Sequence, residues 1–272
     1  MGKLEGKVAF ITGAARGQGR SHAVRLAEEG ADVIAVDICE QIPTVPYPMA
    51  TPEDLAQTVK EVEVLGRRIV ALRADVRDRS DLQAAFDEGV DELGGVDIVL
   101  ANAGIGTLSI GSANENPQAF TDVVDVNMTG VWNTVEVAKP TLIEQGRGGA
   151  IVLTSSTAGI KGCAGDTPGG IGYTAAKHGV VGLMRASATM LGKHSIRANA
   201  VAPTGANTPM VVNDMMKEWL ASNETSSDLT NLLPVELIEA SDVSNAIAWL
   251  VSDDARYITG VLLPVDAGFT TK

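Results

Sequence analysis

Seven short, largely apolar runs punctuate the chain, at residues 8–11, 33–36, 69–72, 98–101, 151–153, 198–201 and 261–265. Runs of this length without steady inside–outside alternation suit strands buried on both faces of a sheet. Between them lie stretches with helical spacing. Ala23, Leu26 and Ala27 share one helical face, as do Leu82, Ala85, Phe86 and Leu93, and as do Ala246, Ile247, Leu250 and Val251. Strand–helix alternation repeated this often predicts an α/β fold, a doubly wound parallel sheet of about seven strands with helices on both faces. Right-handed crossovers follow.

Three segments break the rhythm. Residues 39–52 contain Pro43, Pro46, Pro48 and Pro52 and read as an ordered, non-helical insert. Residues 159–172 carry six glycines and Pro168 and read as a second loop. Residues 204–239 are polar, helical in patches, and precede the last helix and strand. No repeat and no linker-like tract divides the 272 residues, which reads as one domain.

Charge narrows the function. A formal net charge of −13 disfavours nucleic acid or an anionic membrane as a partner, since both need a basic surface. No uncharged apolar run reaches the ~18 residues a membrane span needs. Two distant cysteines, Cys39 and Cys163, form no CxxC pair and read as reduced thiols of a cytoplasmic protein. His22, His178 and His194 lack a metal-ligand spacing, so no metal is expected.

An acidic protein can still bind phosphate through its backbone. The first strand runs into Gly13-Ala14-Ala15-Arg16-Gly17-Gln18-Gly19, a Gly-x-x-x-Gly-x-Gly turn opening a helix. Glycines there let the chain turn sharply and let a pyrophosphate approach the backbone, while the helix dipole faces it. The second strand ends in Asp37, where a carboxylate accepts hydrogen bonds from the adenosine ribose of NAD and repels a 2′-phosphate. Arg16 would attract that phosphate. A like-charge clash in a buried site outweighs one solvated arginine, so NAD is the expected cofactor.

Tyr173 and Lys177 are four apart, which stacks them on one helical face. A free tyrosine, with a pKa of about 10, is a poor base at neutral pH, and a nearby ammonium lowers that value. The pair does not stand alone. In order along the chain come the glycine turn, Asp75-Val76, Ala101-Asn102-Ala103-Gly104, Asn127, Ser155-Ser156, Tyr173/Lys177, Pro203, Tyr257-Ile258-Thr259-Gly260 and Val265-Asp266-Ala267-Gly268. This ordered set resembles the short-chain dehydrogenase/reductase family over essentially the whole chain.

The resemblance implies roles. Tyr173 is the expected general acid/base, Lys177 its pKa-lowering partner and ligand of the nicotinamide ribose, Ser156 the group that orients the substrate oxygen, and Asn127 the holder of a relay water. Gly13, Arg16, Gly17, Gln18, Gly19, Asp37 and Ile38 are expected at the adenosine and pyrophosphate end. Asp75 and Val76 are expected at the adenine, Asn102, Ala103 and Gly104 along the cleft, and Pro203 and Thr208 at the nicotinamide. The family also implies a homotetramer, and a substrate lid near 204–239 in which Met210, Met215, Met216 and Trp219 face an apolar substrate. Three features depart from the family pattern: seventeen positions separate Ser156 from Tyr173, Thr204 replaces the usual glycine after Pro203, and Ala101 replaces the first asparagine of Asn-Asn-Ala-Gly.

The insert from Asp37-Ile38-Cys39-Glu40-Gln41-Ile42-Pro43 to Tyr47-Pro48-Met49-Ala50-Thr51-Pro52 is similar to a narrower subgroup, carveol-dehydrogenase-like enzymes associated with the redox cofactor mycofactocin. That likeness implies an alcohol–carbonyl oxidoreductase whose NAD stays bound and is reoxidised in place. The alternatives are a dehydrogenase or carbonyl reductase using freely exchanging NAD(P), and a redox-sensing module without turnover. The intact Tyr173, Lys177, Ser156 and Asn127 argue against the last. The insert is expected either to fold over the adenosine, with Ile42, Val45, Tyr47 and Met49 against the adenine edge, or to pack on a neighbouring subunit.

Overall fold

All seven apolar runs form strands in the computed structural model, which describes residues 2–106, 116–162, 166–222 and 230–272. They are β1 Val8–Thr12, β2 Asp32–Asp37, β3 Ile69–Arg73, β4 Ile98–Ala101, β5 Gly149–Thr154, β6 Ile196–Pro203 and β7 Leu262–Val265. Every pairing is parallel, and the spatial order is β3-β2-β1-β4-β5-β6-β7. The central strands are buried throughout, as their apolar runs require. β3 and β7 are the sheet's edges and are only half-buried, so the expectation of burial on both faces fails there.

Helices α1 Gly17–Glu28, α2 Pro52–Val64, α3 Arg79–Leu93, α4 Gln118–Val124, α5 Gly130–Gln145, α6 Pro168–Leu191, α7 Asp214–Ser222 and α8 Ala240–Val251 cover the two faces. Alternating strand residues feed opposite layers. Phe10, Ile34 and Val36 join Phe86, Leu142 and Met184 on one side, and Ile11, Val33 and Ala35 join Leu26 and Ile247 on the other. Phe10 and Phe86 meet edge to face, with ring centroids 5.0 Å apart.

Two loop boundaries are corrected. Pro52 belongs to α2 rather than to the insert, because Thr51 accepts a hydrogen bond from the Asp54 amide and Asp54 accepts from Thr51 in return. Residues 168–172 are the first turns of α6 rather than loop. Thr167 caps that helix by accepting from the Gly170 amide, and Pro168 sits at its first position, where the missing N–H costs nothing. Glycine content suggested a loop, but the capping pair decides. Cys163 and the side chain of Trp219 lie outside the described residues.

The insert packs on its own chain. Ile42, Val45 and Tyr47 are buried in the same core layer as Val36, Val76 and Ile105. Gln41 organises it: its side-chain nitrogen donates to the carbonyls of Ile42, Val45 and Tyr47, and its oxygen accepts from the Met49 amide. One side chain thus satisfies four backbone groups of a loop that has no ladder of its own.

Candidate active site

The strand order reverses between β1 and β4, whose connections leave in opposite directions and open a crevice at their carboxyl ends. Thr12 and Asn102 lock its two walls. The Thr12 hydroxyl accepts from the amides of Asn102 (3.2 Å) and Ala103 (3.3 Å), and the Asn102 side chain donates to the Thr12 carbonyl (3.0 Å). The glycine turn fits against this clamp with no room to spare. Gly13 has φ +70°, and a Cβ there would stand 2.8 Å from the Ala103 Cα. A Cβ on Gly19 would collide with the Gly13 carbonyl.

No side chain caps the start of α1, and Gly17 to Gly19 border the crevice. The Gln18 Oε1 is buried with no partner among the described residues. Uncapped first-turn amides together with an orphaned acceptor are what an anionic ligand bearing hydroxyl donors would complete. By this measure the residues present fit a dinucleotide.

Asp37 stands where β2 meets the crevice. Its two carboxylate oxygens accept from the amides of Ala15 (3.0 Å) and Cys39 (3.1 Å). Burial pushes the carboxyl above the usual carboxylate range, and those amides and Arg16 offset only part of that. Arg16 is half-buried and also tied down: its guanidinium donates to the Pro48 carbonyl at 2.6 Å in an exposed hydrogen bond. It ties the glycine turn to the insert. On the opposite wall the Gly106 amide donates to the Tyr47 hydroxyl (3.1 Å), and Thr44 donates to Asp122 of α4 (2.5 Å). The insert is therefore a strap fastened to both sides of the cleft, reaching well beyond the adenine edge.

Tyr173 and Lys177 lie in the early turns of α6, with the Lys177 Nζ 5.5 Å from the Tyr173 ring centroid. Lys177 is buried, and its Nζ donates to the Thr154 carbonyl at the end of β5 (2.8 Å). The Ser155 hydroxyl returns the tie by donating to the Lys177 carbonyl (2.9 Å). Gly159 makes the approach possible, since a Cβ there would collide with the Ser155 hydroxyl and the Lys177 carbonyl. Desolvation lowers the Lys177 pKa to about 8. Ser156 borders the cleft on extended backbone, and its hydroxyl accepts from the Ala158 amide at 3.2 Å.

The cleft gathers Gly13, Arg16, Gly17, Gln18, Gly19, Asp37 and Ile38 at one end. It also gathers Asp75, Val76, Asn102, Ala103, Gly104, Ser156, Tyr173, Lys177, Pro203 and Thr208. Asp75 is held there by Arg77, and Thr208 packs over Gly17. Asn127 is the exception. It sits in a π-helical turn, Asp125–Thr129, between α4 and α5, fully buried behind the wall. Its side chain accepts from the Ile105 amide and donates to the Ile105 carbonyl, both at 2.8 Å. These two bonds brace the Ile105 peptide and leave one N–H and one lone pair of the amide. His22 is buried against Ser244, 2.7 Å from its hydroxyl, and burial lowers its pKa to about 3. His178 is exposed, and its ring bonds the Thr174 carbonyl of its own helix.

Sequence reasoning missed Ser155 and Thr154 as the residues that place Lys177, and missed the reach of Tyr47 to Gly106. The cue for Tyr47 was present: it is one of three tyrosines, set among four prolines and alternating with apolar positions.

The model of the enoyl-(acyl carrier protein) reductase family matches residues 13–270. An oxidoreductase of Mycobacterium tuberculosis with no assigned activity is 58% identical over 271 residues, covering 99% of this chain and 98% of that one. The (−)-trans-carveol dehydrogenase of Rhodococcus erythropolis is 50% identical over 281 residues, covering all of both chains. The crystal structure of carveol dehydrogenase from Mycobacterium avium in complex with NAD superposes with a TM-score of 0.93, at 51% identity over the full length of both chains.

Two outcomes follow from this geometry. Asp37→Ala removes the repulsion of a 2′-phosphate and narrows the preference for NAD over NADP by at least about tenfold, or about 1.4 kcal/mol. Arg16 remains tied to Pro48, so the preference narrows rather than inverts. Equal ratios of the two dissociation constants in wild type and variant would contradict this. Lys177 gives the second. A ribose hydroxyl that accepts from its ammonium favours the charged form and raises a pKa that stands at about 8 in the free protein. Binding then takes up a proton above that pH, so NAD affinity declines as pH rises through this range. In Lys177→Met that slope disappears; titration of nucleotide-free protein at several pH values reads it, and a flat wild-type profile would contradict it.

Proposed function

The chain belongs to the short-chain dehydrogenase/reductase family, and we propose that it interconverts a primary or secondary alcohol and its carbonyl on NAD that stays bound through turnover and is reoxidised in place by a mycofactocin-type acceptor. It is an NAD-dependent alcohol dehydrogenase of the carveol-dehydrogenase-like kind. Bound NAD supplies the hydride acceptor. The chain's own residues do the rest. Tyr173 takes the hydroxyl proton of the alcohol. Lys177, one helical turn on, favours the phenolate and offers its remaining protons to the nicotinamide ribose. Ser156 orients the substrate oxygen, while Thr154 and Ser155 fix Lys177 from behind. Asn127 acts through the peptide it braces at Ile105. The described part of the expected lid, 204–222 and 230–239, places Met210 against the cleft, and 223–229 lie outside the described residues.

One observation carries the retention of NAD: the strap is fastened to both walls, by Arg16 to Pro48 and by Gly106 to Tyr47. Three prolines, Pro43, Pro46 and Pro48, and the Gln41 hub limit its freedom, so closing it over a ligand costs little entropy. At about 25 cal/mol per Å², each ~100 Å² of ligand surface it covers adds about 2.5 kcal/mol, between one and two decades in release rate. A homotetramer is part of the proposal, supported by apolar side chains exposed on separate faces, Trp132 on α5 and Trp249 on α8. So is a cytoplasmic location, which suits the free thiol of Cys39.

Denaturing the purified protein is expected to release about one NAD per subunit, and native protein is expected to exchange little labelled NAD over hours. Substoichiometric NAD, or full exchange within seconds, would refute retention and leave a dehydrogenase with free cofactor. Tyr173→Phe is expected to abolish turnover, a loss of at least about a thousandfold, while NAD stays bound. Near-normal rates in that variant would remove Tyr173 from the acid/base role.

A further inference from the structure

Tyr47 is the strap's innermost polar group. Its side chain is buried, with 5% of its surface exposed, yet it borders the cleft together with Tyr173 and Met210. The phenolic oxygen accepts from the Gly106 amide at 3.1 Å. That bond uses a lone pair and leaves the phenol's own proton, for which the described residues present no acceptor. Burial also pushes the Tyr47 pKa up to about 12, against smaller opposing pulls from Gly106 and Arg16 and with a small upward push from Tyr173, so the proton stays on and the group remains a donor.

Its position fixes what the proton can meet. The next residue, Pro48, is held by Arg16 of the glycine turn, the element that cradles phosphates from one side. Gly106, on the other wall, also lies against Met210, whose thioether is 3.8 Å from where a Cβ would stand. The hydroxyl thus lies on the loop after β4 and is coupled electrostatically to Arg16 of the glycine turn on one side and to Tyr173 on the other. An adenosine bound at Asp37 and a nicotinamide bound at Tyr173 would leave the anionic linkage of the dinucleotide in that middle stretch.

We propose that Tyr47 donates its hydroxyl hydrogen bond to the pyrophosphate of the bound dinucleotide, so that the strap grips the cofactor from the side opposite the glycine turn. This rests on the reading of the cleft as an NAD site. It adds a positioning residue outside the catalytic set, contributed by the insert. Apolar cover and this single polar contact act together: the ring excludes water, and the donor then meets the anion in a medium where a charge-assisted bond is strong.

The test compares full-length protein freed of nucleotide, titrated with NAD, with ADP-ribose and with adenosine, which lacks the pyrophosphate. Tyr47→Phe is expected to weaken NAD and ADP-ribose by at least about tenfold and to leave adenosine within about twofold. Equal loss for all three ligands would mean that the variant merely unfastens the strap, and no loss for any would mean that the hydroxyl is idle; either overturns the proposal. A fluorinated tyrosine placed at position 47 separates the two roles of the oxygen and covers a Phe variant that fails to fold. A more acidic phenol donates better and accepts worse. Tighter binding of NAD and ADP-ribose supports donation to the pyrophosphate. Weaker or unchanged binding assigns the hydroxyl to Gly106 alone and overturns the proposal. Wild-type protein that binds adenosine, ADP-ribose and NAD not at all would instead overturn the NAD reading itself.

Discussion

The reversal of strand order between β1 and β4 is the constraint on which the rest of this structure depends. Two neighbouring parallel strands whose crossovers depart in opposite directions leave a gap that no helix can cover. Thr12 and Asn102 set the width of that gap by bonding each strand end to the other's backbone. Once the width is set, the glycine turn has only one place to lie, and every other cleft residue is measured from it. The arrangement of β5 and α6 repeats the logic one strand further on. Thr154 and Ser155 bond reciprocally with Lys177, so strand end and helix start move as one unit carrying Ser156, Tyr173 and Lys177.

The same cleft holds groups in states they would not choose alone. Lys177 is a desolvated cation that donates to a backbone carbonyl, Asp37 is a buried carboxyl with two amide donors, and Gln18 keeps an acceptor orphaned among the described residues. Each cost falls when a ligand brings the complementary group, a ribose hydroxyl or a phosphate. This is preorganisation in the energetic sense: the fold bears the desolvation before the ligand arrives, and the ligand's binding recovers it. The strap adds the final layer by covering from above a site whose floor and walls are already rigid.

Much of this was legible in the residues. Apolar runs of three to five located the strands, because a strand buried on both faces cannot alternate. Tyr173 and Lys177 declared a shared helical face through their spacing. Glycines at 13, 17 and 19 declared a close backbone approach. What stayed hidden has a common cause. Loops have no periodicity, so nothing in 39–51 announced that Gln41 would serve four backbone groups, that Arg16 would bond Pro48, or that Tyr47 would cross to Gly106. The start of α6 was misread because six glycines outweighed one proline, when the physics runs the other way: Thr167 and Pro168 start a helix whatever the glycine content just after them. Asn127 was recognised as a site residue, but its target, the Ile105 peptide, depends on a π-helical turn that sequence spacing does not reveal.

The most direct measurement uses the purified protein with no nucleotide added. Alcohols of terpenoid, alkyl and aryl type are introduced one at a time while the reduced-nicotinamide absorbance band is followed, and a mycofactocin-type acceptor is supplied afterwards. The account predicts that a substrate alcohol raises the band to about one reduced cofactor per subunit, that the band then halts, and that the acceptor discharges it without any NAD appearing in solution. A band that appears only when free NAD is supplied, and grows beyond one equivalent, would contradict it.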